Sequence, residues 1–206
     1  MPKRKSLYSP HPSIAMVQKW LAELKEKTGH TLDEWLIIVA RDGPATEKER
    51  RDWLKNKHKL GTNSATWLAE RSFGKGLEMG DPELCLQASE GYVAEMFAGP
   101  KSGLKSIYDA LLSLGLGLAK DVKACPCKTI VPLYREHVFA QIKPTTIKRI
   151  DLGFALKDTK PKGRLIDTGG FAKKDRITHR IPISSLDEID DEVKRWLRMA
   201  YDMDGN

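Results

Sequence analysis

The side chains best suited to carry chemistry in this chain are three cysteines, five histidines and a band of arginines and lysines across its second half. Cys125-Pro126-Cys127 sets two thiols one residue apart, a pattern to weigh as the start of a metal site or a redox pair. A structural zinc site takes four ligands. Only Cys85 and the scattered His11, His30, His58, His137 and His179 remain to complete one, and none stands at a matching spacing. A redox pair is more typically Cys-x-x-Cys. The pair therefore reads as a helix-to-strand turn with incidental thiols, and no metal or cofactor is expected. A histidine acting as general base needs a nucleophile or a carboxylate in reach, which spacing alone does not supply. Serine-hydrolase elbows and zinc-protease motifs are missing from the sequence. Gly169-Gly170-Phe171-Ala172-Lys173-Lys174 lacks the Gly-x4-Gly-Lys-Ser/Thr order that wraps phosphates. It reads as a mobile lysine-rich loop that touches anions without shaping a pocket.

The charge is uneven. Residues 1–100 hold 15 basic and 14 acidic side chains, whereas residues 120–180 hold 15 basic and 6 acidic. The positive excess thus falls on a stretch whose apolar residues alternate with a period of two, the signature of strands with one buried face. Strands are predicted at 129–135, 137–143, 149–156 and 176–183. The phase of the first two is open. On the phase adopted, Phe139, Gln141 and Lys143 share a face with Arg149, Asp151, Thr178 and Arg180, and Tyr134 borders it. An aromatic ring among arginines can stack a base while the cations hold phosphates. The plain alternative is a solvated sheet face with cross-strand Arg–Asp pairs.

These strands need a scaffold, and the remaining periodicity is helical. Ile14, Val17, Leu21 and Leu24 recur at spacings of three and four. Thr31 with Glu34 and Thr46 with Glu49 form capping boxes, in which each threonine and glutamate satisfy one another's free backbone N–H. Thr62-Asn63-Ser64 opens a fourth short helix. Residues 54–67 admit a helix-turn-helix with Ser64, Thr66 and Arg71 toward DNA, but the near-neutral charge favours a plain helical hairpin. A helix follows Asp81-Pro82, and a longer one carries Leu104 to Leu118. A last helix, opened by Ser185 and Glu188, carries Val193, Trp196, Leu197 and Tyr201. The fold class is α+β: an all-α N-terminal part, then a four-stranded antiparallel sheet with helices on one face. The expected divisions are a flexible lead-in at 1–12, a helical domain at 13–80, a connecting helix at 81–100 and an α+β domain at 101–206.

The run Lys27-Thr28-Gly29 to Glu34-Trp35, with Trp53-Leu54-Lys55 and Leu60-Gly61, resembles a bacterial domain family of unknown function. The C-terminal half is similar to a second such family. The helix ending near Lys120, the strands of Ile130–Tyr134 and Val138–Lys143, and the closing Ala200-Tyr201 carry that likeness. Neither resemblance brings a catalytic residue. The second implies a tie to restriction-type nucleases, and hence to nucleic acid, and to small sheet-on-helix proteins without known enzymatic activity.

The net charge of +7 favours acidic partners. The expected function is a non-enzymatic binding or accessory module for nucleic acid or another anionic ligand. Two alternatives stay open: an enzyme or small-molecule sensor using His137, Asp151 or His179 in a pocket between sheet and helices, and a protein-interaction scaffold. No apolar run reaches the length of a membrane span, and three cysteines make no disulfide framework, so the expected home is the cytoplasm.

Overall fold

In the computed structural model, which describes residues Ser6 to Gly205, the chain divides into two units, residues 10–86 and residues 87–205, the latter together with residues 6–9. The division falls inside the helix expected to connect them.

The first unit is helical. Its helices are α1 (Ser13–Thr28), α2 (Leu32–Asp42), α3 (Glu47–Asn56) and α4 (Thr62–Arg71). Gly29 ends α1 in the left-handed conformation, at φ 82°, which suits a residue without Cβ. Both expected capping boxes form, on Thr31 with Glu34 and on Thr46 with Glu49. Leu24, Trp35, Val39, Leu54 and Leu68 make the core. The α3–α4 segment is a helical hairpin in which Ser64 Oγ accepts from Trp20 Nε1 at 2.9 Å, so Ser64 serves the packing within the unit.

The second unit begins within α5 (Pro82–Met96), passes a 3₁₀ turn at Gly99–Leu104 and continues as α6 (Lys105–Leu116). Six strands follow: β1 (Lys123–Ala124), β2 (Val131–Tyr134), β3 (Val138–Pro144), β4 (Ile150–Phe154), β5 (Ile166–Asp167) and β6 (His179–Ile183). They form one antiparallel sheet in the order β1-β2-β3-β4-β6-β5. The four predicted strands are β2, β3, β4 and β6. The two additions have two residues each, too few for any alternation to register.

The closing helix α7 (Asp191–Asp204) starts five residues later than the Ser185 signal implied. Residues 186–188 form a single 3₁₀ turn, and the Glu188 carboxylate accepts from Ser184 N instead. Asp190 is the cap, accepting from Val193 N. Helices α6 and α7 lie on one face of the sheet. Ile107, Tyr108 and Leu111 of α6, with Val193, Trp196 and Leu197 of α7, meet Ile142, Leu152, Phe154 and Ile181 in one apolar core.

Residues 1–5 of the expected lead-in lie outside the described residues. Its later part is fixed on the second unit: Ser9 N donates to Ala124 O at 2.8 Å, and the Tyr8 and Tyr108 hydroxyls are 3.0 Å apart. Among the described residues no helix is long and apolar enough to cross a membrane.

Candidate functional site on the open sheet face

Cross-strand register decides which side chains share a face. Gln141 pairs with Gly153 and Gly153 with Arg180, while Lys143 pairs with Asp151. Alternation puts these residues on the side away from α6 and α7. Four candidates, Gln141, Lys143, Asp151 and Arg180, are therefore brought together. Arg149 joins them from the strand's start, its Nε 3.0 Å from Asp151 Oδ1.

Phe139 does not join them. Leu133 pairs with Ala140 but Tyr134 with Val138, so β3 carries one extra residue at position 139. A β-bulge of this kind interrupts the alternation. Phe139 is fully buried in the helix-side core, edge-to-face with Tyr201 at 5.6 Å between ring centres. The expectation that Phe139 stacks a ligand on the open face is thereby corrected. Thr178 also leaves the face: it is buried, accepts from Leu156 N and lies 2.8 Å from His179 Nδ1. Tyr134 stands half-buried at the end of β2, where burial, followed by the nearby Cys125 and Cys127, pushes its hydroxyl up to about 12.

Asp151 is the hub of the face. Arg180 Nη1 donates to Asp151 Oδ2 at 2.5 Å and Thr145 Oγ1 donates to the same oxygen at 2.9 Å. Both guanidinium side chains remain about a third exposed, so each keeps donors toward solvent. Two arginines share one carboxylate, which leaves the trio with a net charge of +1 before Lys143 is added.

A connection between β5 and β6 borders this face. Ile177 lies across Gly153, where an added Cβ would stand 2.8 Å from the Ile177 methyl and 3.0 Å from Gln141 Cγ. Beside it runs an open groove of about 600 Å³ bounded by Gln141, Lys143, Asp151, Asp175, Arg176 and Arg180. Arg176 was not among the predicted site residues, although the strand predicted at 176–183 begins with it; in the structure the strand starts at His179 and Arg176 lies in the loop before it.

The other candidates are dispersed. His137 is largely exposed, with Nδ1 3.5 Å from Asp204 Oδ1. His179 is buried, on the helix side, and Asp151 lies on the opposite face. The three residues set aside for an enzyme are not gathered into one site. Cys125 and Cys127 lie between β1 and β2, their backbone N–H groups donating to Pro132 O and Ile130 O. Among the described residues no three His, Cys, Asp or Glu side chains cluster as a metal site would require.

The architecture is that of a two-domain α+β protein, a helical domain followed by a helix-backed antiparallel sheet. By its residues 93–204 the chain belongs to the family described as Domain of unknown function (DUF5655). Residues 16–71 match a second family, Domain of unknown function (DUF4287). These matches cover the two regions for which the sequence motifs suggested family resemblance. No curated protein and no solved structure gives a significant match.

Proposed function

We propose that the C-terminal domain binds a polyanion, nucleic acid foremost, across the open face of its sheet. The observation that carries this reading is the convergence of Lys143, Arg176 and Arg180 on one open groove, with Arg149 beside it. A shallow groove suits an extended ligand with repeated charges better than a small molecule, which favours an enclosed, mostly apolar site. Guanidinium groups suit phosphate because their planar forks donate paired hydrogen bonds. The affinity in this reading comes from phosphate contact, since the face offers no aromatic ring once Phe139 is in the core.

The test is a salt titration of the full chain with labelled single-stranded and duplex oligonucleotides. Phosphate contacts release counterions, so affinity should fall steeply with salt. Replacing Lys143, Arg149 and Arg180 with alanine should flatten the log–log slope for single strands by about 2. Among the described residues Lys143 makes no ion pair, so Lys143→Ala alone checks that the effect is electrostatic rather than a loss of fold. Absence of binding at low salt, where attraction between charges is strongest, would sink the proposal. A steep slope that ignores all three residues would move the site off this face.

A further inference from the structure

The loop between β5 and β6 has features that the sheet lacks. It is folded on itself: Thr168 N donates to Thr178 O at 3.0 Å and Asp175 N to Gly170 O at 2.8 Å. Lys173 N reaches Gly170 O and Lys174 N reaches Phe171 O. Gly170 is buried, and a Cβ there would stand 2.5 Å from Ile177 O, so only glycine closes the turn without a shift. The loop is therefore closed by its own backbone hydrogen bonds. At its tip Phe171 is 55% exposed, and among the described residues no ring or cation stacks on it.

Three cations share a groove with that ring. A groove of about 560 Å³ is bounded by Phe171, Lys157, Lys174, Asp175, Arg176 and Met203. Lys157 and Lys174 make no ion pair among the described residues. Asp175 and Arg176 also bound the groove on the sheet face, so the two grooves adjoin along this segment. The result is one basic path from Phe171 and Lys174, past Arg176, to Arg180 and Lys143.

We infer that Phe171 is a stacking platform for an unpaired base, and that the loop makes the domain prefer single-stranded over duplex nucleic acid. The inference rests on the nucleic-acid reading above and adds strand selectivity to it. Every base has an apolar face that an exposed ring can cover, while the flanking cations meet the phosphates on either side. In a duplex the bases already stack on one another, so Phe171 gains nothing there. A preformed loop also spares the ordering cost that a flexible one would incur on binding. An exposed aromatic beside lysines can also meet an anionic lipid surface. The adjoining sheet-face groove favours a strand, because it continues the charged path beyond the reach of a loop tip dipping into a membrane.

The test uses the full chain and two labelled probes, an oligothymidine of about twenty nucleotides and a duplex of equal length. Phe171→Ala should weaken the single strand by about 5- to 150-fold and leave the duplex within about twofold. Phe171→Tyr should retain single-strand binding. Lys143→Ala should weaken both probes. Equal loss on both probes with Phe171→Ala overturns the stacking role. So does no loss on either while Lys143→Ala still weakens them, which leaves the sheet-face proposal standing. If the unaltered chain binds neither probe at low salt, both proposals fall. Phe171-dependent capture by phosphatidylserine vesicles, with no effect on the oligothymidine, also overturns the inference in favour of a membrane surface.

Discussion

Two of the aspartates that hold arginine in the C-terminal domain, Asp204 and Asp151, do different work. Asp204, in the last turn of α7, has a fully buried side chain. It accepts from Glu136 N at 3.0 Å and His137 N at 2.9 Å, and it pairs with Arg176. Asp151, on the open face, accepts from a threonine hydroxyl and an arginine and is paired with a second arginine, with no backbone donor among these partners. The ion-pair chemistry is shared, but the surroundings are not. Backbone donors make Asp204 a fastening between α7 and the β2–β3 turn. Side-chain donors make Asp151 a spacer that sets two guanidinium groups apart while leaving them facing solvent.

The largest expected effect tests the fastening. Asp204→Ala removes the acceptor shared by two backbone N–H groups and the half-exposed Arg176 guanidinium, and should cost about 3 kcal/mol in denaturant unfolding. A loss below about 1 kcal/mol would place Asp204 among ordinary surface ion pairs and end the contrast. A smaller effect is expected at Gly153, the seat of Ile177 on the open face. Gly153→Ala crowds Ile177 and Gln141 and should cost about 1–3 kcal/mol, the range for overpacking. An unchanged unfolding midpoint would mean that the connection over the face yields freely. The smallest stability effect should come from Asp151→Asn, about 1 kcal/mol, because the amide oxygen still accepts from Arg180 or Thr145 and no backbone donor loses its partner. Here the sharper readout is binding. Removing the one carboxylate that both arginines share should tighten oligonucleotide binding and steepen its salt slope by roughly 0.7–0.9, one contact's worth. Weaker binding would show that Asp151 positions the arginines more than it competes with phosphate for them.

Much of the fold is legible in the sequence because its signals are local. Thr31 with Glu34 and Thr46 with Glu49 announce helix starts within four residues, and the α7 face is plain from Val193, Trp196, Leu197 and Tyr201. Other features depend on distant partners. Ser185 and Glu188 look like a capping box, yet the cap is Asp190, whose carboxylate also receives Arg164 at 2.6 Å from a loop far back in the chain. The site shows the same limit. Gln141, Lys143, Asp151 and Arg180 follow from alternation and register. Phe139 looks as if it belongs with Gln141, and one extra residue in β3 sends it to the core, a displacement visible only when β2 is laid alongside. Phe171 carries no periodic signal, since its exposure comes from a turn closed by Gly170.

The rims of the sheet bear on how the domain behaves in a crowd. A long unpaired edge invites another chain to add a strand, the first step of fibril growth. Here the sheet ends in strands of two residues on both sides. Pro182 sits on β6 beyond the pairs with β5, and a proline offers an incoming strand no N–H. Pro132 lies on β2, and its carbonyl, turned to the β1 side, is already taken by Cys125 N. Neighbouring molecules thus find little backbone to zip onto, and the native domain is guarded against edge-to-edge aggregation.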